Sequence, residues 1–363
     1  MYENELQAII KSNRYRDKTL FAETVHDFSS NDYLGLAEKK ELFDKAVADV
    51  AGYKTHGPKA SILVNGYHPI HRTFETAVAR HNGFEAALVC GSGFLANFSL
   101  IEALPRKKDL LILDEEYHAS GQVAAKTVDA EVLSFKHNDA DDLEHLINTH
   151  HHNRIIIAVE GIYSMSGDLL NREIFDIADR YNALLIVDEA HSVGVVGPTL
   201  RGVFELFGIV PQPNHIKMGT LGKALGSYGA YILCSAHIAE FLNNRAKAII
   251  YTTAPSLFDI ALGYQGFLYL KEHAQVLKKA IIQRQTCIKI NLGVEMPSLI
   301  CSYPMSENTQ ALAMQASLLD KGFLIGAIRP PTVRSPLLRI IPRLAESIED
   351  LTTLCTLIKE ERF

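Results

Sequence analysis

Leu185-Ile-Val-Asp-Glu-Ala-His191 and Met218-Gly-Thr-Leu-Gly-Lys-Ala-Leu-Gly226 carry the architecture of this chain in miniature. In the first, a short apolar run stops on an acid; in the second, another opens into a glycine-rich turn. Short continuous runs of Ile, Leu and Val are what strands covered on both faces look like. Runs of this kind stand at 86–89, 110–113, 154–159, 184–187, 215–218 and 230–234. Helical periodicity fills several intervals between them, at 71–81, 94–103, 140–148 and 173–181. Strands alternating with helices predict right-handed crossovers and a mainly parallel sheet, an α/β fold.

The flanks read differently. Residues 3–15 have the pattern of a short amphipathic helix, and Asp27-Phe-Ser-Ser-Asn-Asp-Tyr-Leu-Gly35 is an irregular, turn-rich segment. Beyond Pro255 a long helical stretch (258–291) leads to strand-like pieces near 298–303 and 338–341. The expected organisation is an N-terminal helix and arm (1–45), a large α/β domain (46–255) and a smaller C-terminal α+β domain (256–363).

Composition narrows the function. The chain has 363 residues, of which 47% are hydrophobic, ample for a well-buried core. A formal charge of -6 argues against nucleic acid as a partner. Five scattered cysteines without CxxC spacing fit a reduced protein with neither a disulfide frame nor a zinc site. The first residues carry early acids and no long apolar core, unlike a signal peptide. No apolar run is long enough to span a bilayer, so a cytoplasmic protein without a membrane partner is expected. His150-His-His152 cannot share one helix face and reads as a solvated turn, so no metal site is expected.

Chemistry concentrates just after the strand ends, where open α/β sheets place ligands. Lys223 stands between small residues, 35 positions after Asp188. Alone, either fits an exposed loop lysine or a strand-end carboxylate. Together, in this order, they fit the two fixed points of a pyridoxal 5'-phosphate site: an amine for the aldehyde and an acid for the pyridinium nitrogen. A pyridinium partner favours the ionised form of such an acid. His191 is placed to hydrogen-bond the ring oxygen, and His118 to stack on the ring. Ser164 follows the 154–159 run in the same manner. Gly93 and Phe94 open a helix whose free amides suit a phosphate. Thr220, Thr252 and Thr253 are candidate phosphate donors. Arg329 lies beside a double proline, and Arg339 interrupts an apolar strand. An arginine there is costly unless it meets an anion, which a substrate carboxylate supplies.

Three other readings compete. Gly91-Ser-Gly-Phe-Leu-Ala96 after a strand, with Asp114 at the end of the next run, matches a dinucleotide fingerprint. An NAD-binding oxidoreductase therefore stays open. Asp188-Glu-Ala-His191 matches a DEAH box, but the GxxxxGK[ST] loop that must accompany it is missing. A serine hydrolase lacks its GxSxG elbow.

With these residues in hand, the chain closely resembles the α-oxoamine synthases, fold-type I pyridoxal phosphate enzymes. The resemblance runs from Ser30-Asn-Asp-Tyr-Leu-Gly-Leu36 through Gly66-Tyr-His-Pro-Ile-His71, residues 188–194 and 220–229 to the arginine segment. Ala327-Ile-Arg-Pro-Pro-Thr-Val333 is similar to the biotin-pathway members, which condense L-alanine with a pimeloyl thioester and release carbon dioxide and the thiol carrier. Relatives that join glycine or serine to other acyl-CoA substrates share most of these motifs. The resemblance implies that Lys223 forms the imine, Asp188 faces the ring nitrogen and His118 stacks and helps place the acyl group. Gly93, Phe94, Ser164, His191 and Thr220 would hold the cofactor. Arg339 would clamp the amino-acid carboxylate, Thr332 would touch substrate, and Arg14, with Arg16 as the neighbouring match, would contact it from the N-terminus. Thr252 and Thr253 would serve a partner's phosphate site, which implies a homodimer; the acyl carrier is coenzyme A or an acyl carrier protein. Three positions depart from the family pattern: His56-Gly-Pro-Lys-Ala-Ser61, Ser166 in place of an acid, and the shortened Ser335-Pro-Leu-Leu-Arg339.

Overall fold

Burial on both faces organises the centre of the molecule. In the computed structural model, which describes residues 1–12 and 14–361, seven strands form one sheet. They are β1 (Ala86–Cys90), β2 (Leu110–Asp114), β3 (Glu131–Phe135), β4 (Ile155–Glu160), β5 (Leu184–Asp188), β6 (His215–Thr220) and β7 (Ala230–Cys234). Their order is β1-β7-β6-β5-β4-β2-β3. The neighbours from β3 to β6 run parallel, while β7 pairs antiparallel with both β6 and β1. Strands β2, β4 and β7 are buried at every position. Separate apolar clusters cover the two faces, one built on Ile157, Leu185 and Val187, the other on Ile156, Ile186 and Ile216.

Every apolar run read from the sequence is a strand, and β2, β4 and β5 each extend to one more residue, an acid: Asp114, Glu160 and Asp188. The sequence reading missed β3. It lies at the sheet edge with only Phe135 buried, so it has no continuous apolar run to announce it. The helices read from periodicity are present, among them α1 (Gly93–Ala103); the short α2 (Ala119–Ala125) was not read from the sequence, and the long C-terminal stretch is α3 (Leu257–Leu292). The N-terminal helix is shorter than expected, Glu3–Lys11, and buries no residue. Three short strands, β8 (Cys301–Pro304), β9 (Gly326–Ile328) and β10 (Leu337–Ile340), form a small antiparallel sheet in the order β9-β10-β8. Residues His26–Asp27 pair with Phe323–Leu324, and Phe28 joins the same apolar cluster as Leu338 and Leu354. Helix α3 serves both cores, with Leu257 to Ile281 in the large cluster and Cys287 and Ile288 in the small one. Among the described residues no helix is long and apolar enough to cross a membrane.

Two packing features position the strand ends. The turn joining β6 to β7 is closed by Leu221 N donating to Gly229 O (2.9 Å) and Ser227 N donating to Leu221 O (2.9 Å). Helix α3 lies against it through glycines. A Cβ at Gly263 would sit 2.8 Å from the Leu221 side chain, and one at Gly266 would sit 2.4 Å from the Leu225 carbonyl oxygen. The second feature is a clamp absent from the sequence reading. His137 places Nδ1 at 2.9 Å from Asp114 and Nε2 at 2.9 Å from Asp168, while the Tyr163 hydroxyl donates to Asp114 (2.8 Å). This ties the end of β2 to the loop after β4. Burial opposes a charged ring, but the two carboxylates outweigh it and lift His137 to about 10.

Gly266→Ala gains about 1 kcal/mol of helix propensity but meets a backbone oxygen that cannot rotate away. Its melting temperature is expected below that of the wild type; an equal or higher value contradicts this packing. The raised His137 value stabilises the fold most below the ordinary histidine range, and that contribution fades as pH rises toward 10. The melting-temperature gap between wild type and His137→Gln should therefore be larger at pH 6 than at pH 10. A gap that grows with pH contradicts the clamp.

Candidate active site

The parallel neighbours β2, β4, β5 and β6 bring their carboxyl ends to one edge of the sheet, and two hydrogen-bond chains run there. The first begins at Asp188, the last residue of β5. Its Oδ1 accepts from Ala190 N (2.9 Å) and its Oδ2 from Asn97 Nδ2 (2.7 Å). Asn97 is buried one turn into α1, held by the Tyr117 hydroxyl donating to its Oδ1 (2.7 Å). The same amide nitrogen reaches Ser120 Oγ at 3.0 Å, and Ser120 meets His118 Nδ1 at 2.7 Å. Because His118 Nδ1 also accepts from Ser120 N (3.2 Å), a neutral His118 carries its proton on Nε2. His118 caps α2 and leaves its ring exposed, available for stacking.

The second chain starts at Lys223. Its Nζ lies 2.7 Å from His191 Nε2, and His191 Nδ1 meets the fully buried Tyr33 hydroxyl. Tyr33 neighbours Asn31, whose Oδ1 accepts from Arg339 Nη2 (3.0 Å). Arg339 on β10 also donates through Nε to Ser164 O (2.8 Å), and Ser164 N donates to Glu160 (3.2 Å). The lysine and the arginine are thus joined through buried polar groups. Burial brings the Lys223 amine down to about 8; the nearby Asp188 carboxylate opposes the change first, any charge on Glu160 would add to that opposition, and Arg339 assists the change. Burial and the Lys223 charge hold His191 well below the histidine range, so it is neutral. An amine in this range is a nucleophile near neutral pH.

At the start of α1, Ser92 accepts from Leu95 N through its side chain and from Ala96 N through its carbonyl. The cap leaves the amides of Gly93 and Phe94 facing outward from the helix start. A Cβ at Gly93 would lie 4.0 Å from Thr220 Oγ1, so that hydroxyl borders the same spot. Thr220 Oγ1 accepts from Gly222 N (3.1 Å) and donates to Gly229 O (3.0 Å).

The structure therefore brings Lys223, Asp188, His118, His191, Ser164, Arg339, Gly93 and Thr220 to one place. Phe94 stands at the helix start with its ring exposed, stacked on Phe98. The other candidates take part in neither hydrogen-bond chain among the described residues. Thr253 is exposed and Thr252 half-buried, on a segment whose Ala254 N donates to Ala60 O (3.0 Å). Arg14 is exposed and bonds Ser12. Arg329 and the exposed Thr332 share one turn, Thr332 N donating to Arg329 O (3.0 Å). Sequence reasoning missed Asn97, Tyr33, Asn31 and Glu160. A single Asn inside an apolar helix, one turn after the glycines, was the usable signal for the first.

Asp114 does not suit a dinucleotide. It is fully buried, and its carboxylate is occupied by His137, Tyr163, Glu116 N and Asn138 N. The donor set instead fits pyridoxal phosphate: a low-pKa amine, an acid already held by two N–H groups, an exposed imidazole and a helix start for the phosphate.

Comparison with known proteins agrees. A family description, aminotransferase class I and II, matches residues 23–358. The chain is 44% identical to an 8-amino-7-oxononanoate synthase of Helicobacter pylori (strain J99), over 96% of this chain and 94% of that one. It is 36% identical to another of that name from Methylobacterium radiotolerans, over 90% and 87%. The crystal structure of 8-amino-7-oxononanoate synthase from Francisella tularensis superposes with a TM-score of 0.76 at 25% identity, covering 94% and 98%. Serine palmitoyltransferase from S. paucimobilis, bound to a PLP-myriocin aldimine, shares the fold at a TM-score of 0.89 and 22% identity, covering 99% and 96%. The chain belongs to the class I and II aminotransferase family, on the branch that holds the 8-amino-7-oxononanoate synthases.

Proposed function

We propose that this protein joins L-alanine to a pimeloyl thioester, giving 8-amino-7-oxononanoate, carbon dioxide and the free thiol carrier, a step of biotin biosynthesis. The observation that carries the reading is the approach of the Asp188 carboxylate and the Arg339 guanidinium to the buried Lys223 amine, in a chain 44% identical to a named synthase. Pyridoxal 5'-phosphate, when bound, supplies an aldehyde for the amino group and a ring that accepts the electron pair of the broken bond.

The chain's own residues do the rest. Lys223 would hold the aldehyde, and Asp188 the ring nitrogen. His118 would cover the ring face. Gly93, Phe94 and Thr220 would take the phosphate, with Ser164 and His191 beside the ring. Arg339, now resting on Ser164 O and Asn31, would turn its guanidinium to the alanine carboxylate and fix the orientation of the α-carbon. The Lys223 amine, neutral above about pH 8, takes the α-proton and returns one after carbon dioxide leaves. His191 at 2.7 Å keeps that amine in place. His118 at the mouth orients the incoming thioester. Arg14, Arg329 and Thr332 lie on the substrate side in this reading. Thr252 and Thr253 would complete the phosphate site of a second copy, making the enzyme a homodimer with shared sites. The setting is the cytoplasm.

The test is product formation from L-alanine with pimeloyl-CoA and with a pimeloyl carrier protein, against glycine with acetyl-CoA. Product from alanine with either pimeloyl donor is expected, and Lys223→Ala should lower turnover by roughly a thousandfold or more. Turnover of glycine and acetyl-CoA alone would assign the glycine-using relative instead. A further outcome concerns Asn97. Asn97→Leu removes a charge-assisted donor from Asp188 and is expected to weaken pyridoxal phosphate binding by roughly 10- to 100-fold. Titration of cofactor-stripped protein measures it, and unchanged affinity would separate Asn97 from the site.

A further inference from the structure

Glu160 ends β4 as Asp188 ends β5, and the two are register partners in a parallel pair, so their side chains leave the same face of the sheet. Adjacent strands lie only about 4.8 Å apart. Both carboxyls are buried. Their surroundings differ. Asp188 receives two N–H donors, one on each oxygen. Glu160 receives one, Ser164 N on Oε2, and its Oε1 is buried without a partner among the described residues. A dry carboxylate oxygen with no donor is costly, and a second negative charge beside Asp188 adds to that cost.

We propose that Glu160 is a further working residue of the active site: the protonated member of a Glu160–Asp188 carboxyl pair, whose proton confines the site's negative charge to Asp188. The groups facing Glu160 are Asp188, Asp114 and Lys223, together with the phenols of Tyr33, Tyr117 and Tyr163. Burial first, and then the Asp188 charge, hold its carboxyl well above the ordinary carboxylate range. The consequence reaches both cations. An ionised Glu160 would draw Lys223 toward its ammonium form and compete for Arg339, which already bonds the carbonyl of Ser164. A neutral Glu160 leaves the amine nucleophilic and the guanidinium free for a substrate carboxylate. It acts through Lys223 and Arg339 and is a positioning residue.

This inference rests on the pyridoxal phosphate reading for its consequence, but its protonation state is measurable without the cofactor. Infrared spectra of full-length protein labelled with carbon-13 at glutamate side chains, with and without cofactor, should show a protonated carboxylic acid band at pH 8.5. At that pH Glu75, which burial raises to about 7, is ionised. The band should vanish in Glu160→Gln. Absence of any protonated glutamate band in the wild type overturns the proposal and needs no variant. In cofactor-loaded protein, the pH midpoint of the visible band should stay the same in Glu160→Gln, because one neutral group replaces another. A downward shift of about one unit or more would show that Glu160 carries charge, and would overturn it. If the wild type binds no pyridoxal phosphate, the visible band is missing and the cofactor reading fails, while the infrared result stands by itself.

Discussion

A lysine amine becomes a nucleophile only where water is scarce enough to release its proton and where its backbone cannot drift, and the turn between β6 and β7 meets both conditions. Gly263 and Gly266 let α3 close to contact with Leu221 and Leu225, and Gly194 sits where a Cβ would lie 2.5 Å from the Cβ of Ala224. A larger residue at Gly266 would press on the Leu225 backbone, and one at Gly263 or Gly194 would force Leu221 or Ala224 to shift, so these glycines let the turn pack closely. The Lys223 amine, brought by burial to about 8, then meets His191. The large core and the functional turn share one packing surface.

Charge is arranged around that amine with equal economy. Asp188 takes its two donors from different elements, Asn97 on α1 and Ala190 in the turn after β5. Arg339 arrives from the small sheet and bonds the loop after β4, so the site draws on both cores. Helix α3 spans the two, which couples the small unit to the lysine turn mechanically. The loop after β4 is the remaining contributor, and the His137 clamp holds it from behind through Asp114 and Asp168.

Much of this was legible in the residues. Continuous apolar runs gave the buried strands, because a strand covered on both faces has no polar side to hide the pattern. The candidate lysine, acid and histidines stood at or just past the ends of those runs. The edge strand Glu131–Phe135 was not legible, since exposure on most positions removes the apolar signal. Neither were Asn97, Tyr33 and Asn31. Each acts by touching a residue far away in the sequence, and a single polar side chain says nothing of its partner. Glu160 and Asp114 each end a strand, and nothing in the residues themselves tells the two apart. Only their surroundings separate them, four partners for Asp114 and a lone donor for Glu160.

The central claim is one covalent bond, and mapping it is the most direct measurement. Purified protein loaded with pyridoxal phosphate is reduced with borohydride and digested, and the peptides are weighed and sequenced by mass spectrometry. The account predicts a single pyridoxyl adduct, on the peptide spanning Met218–Gly226, at Lys223. An adduct on another lysine, or none after reduction, would contradict it.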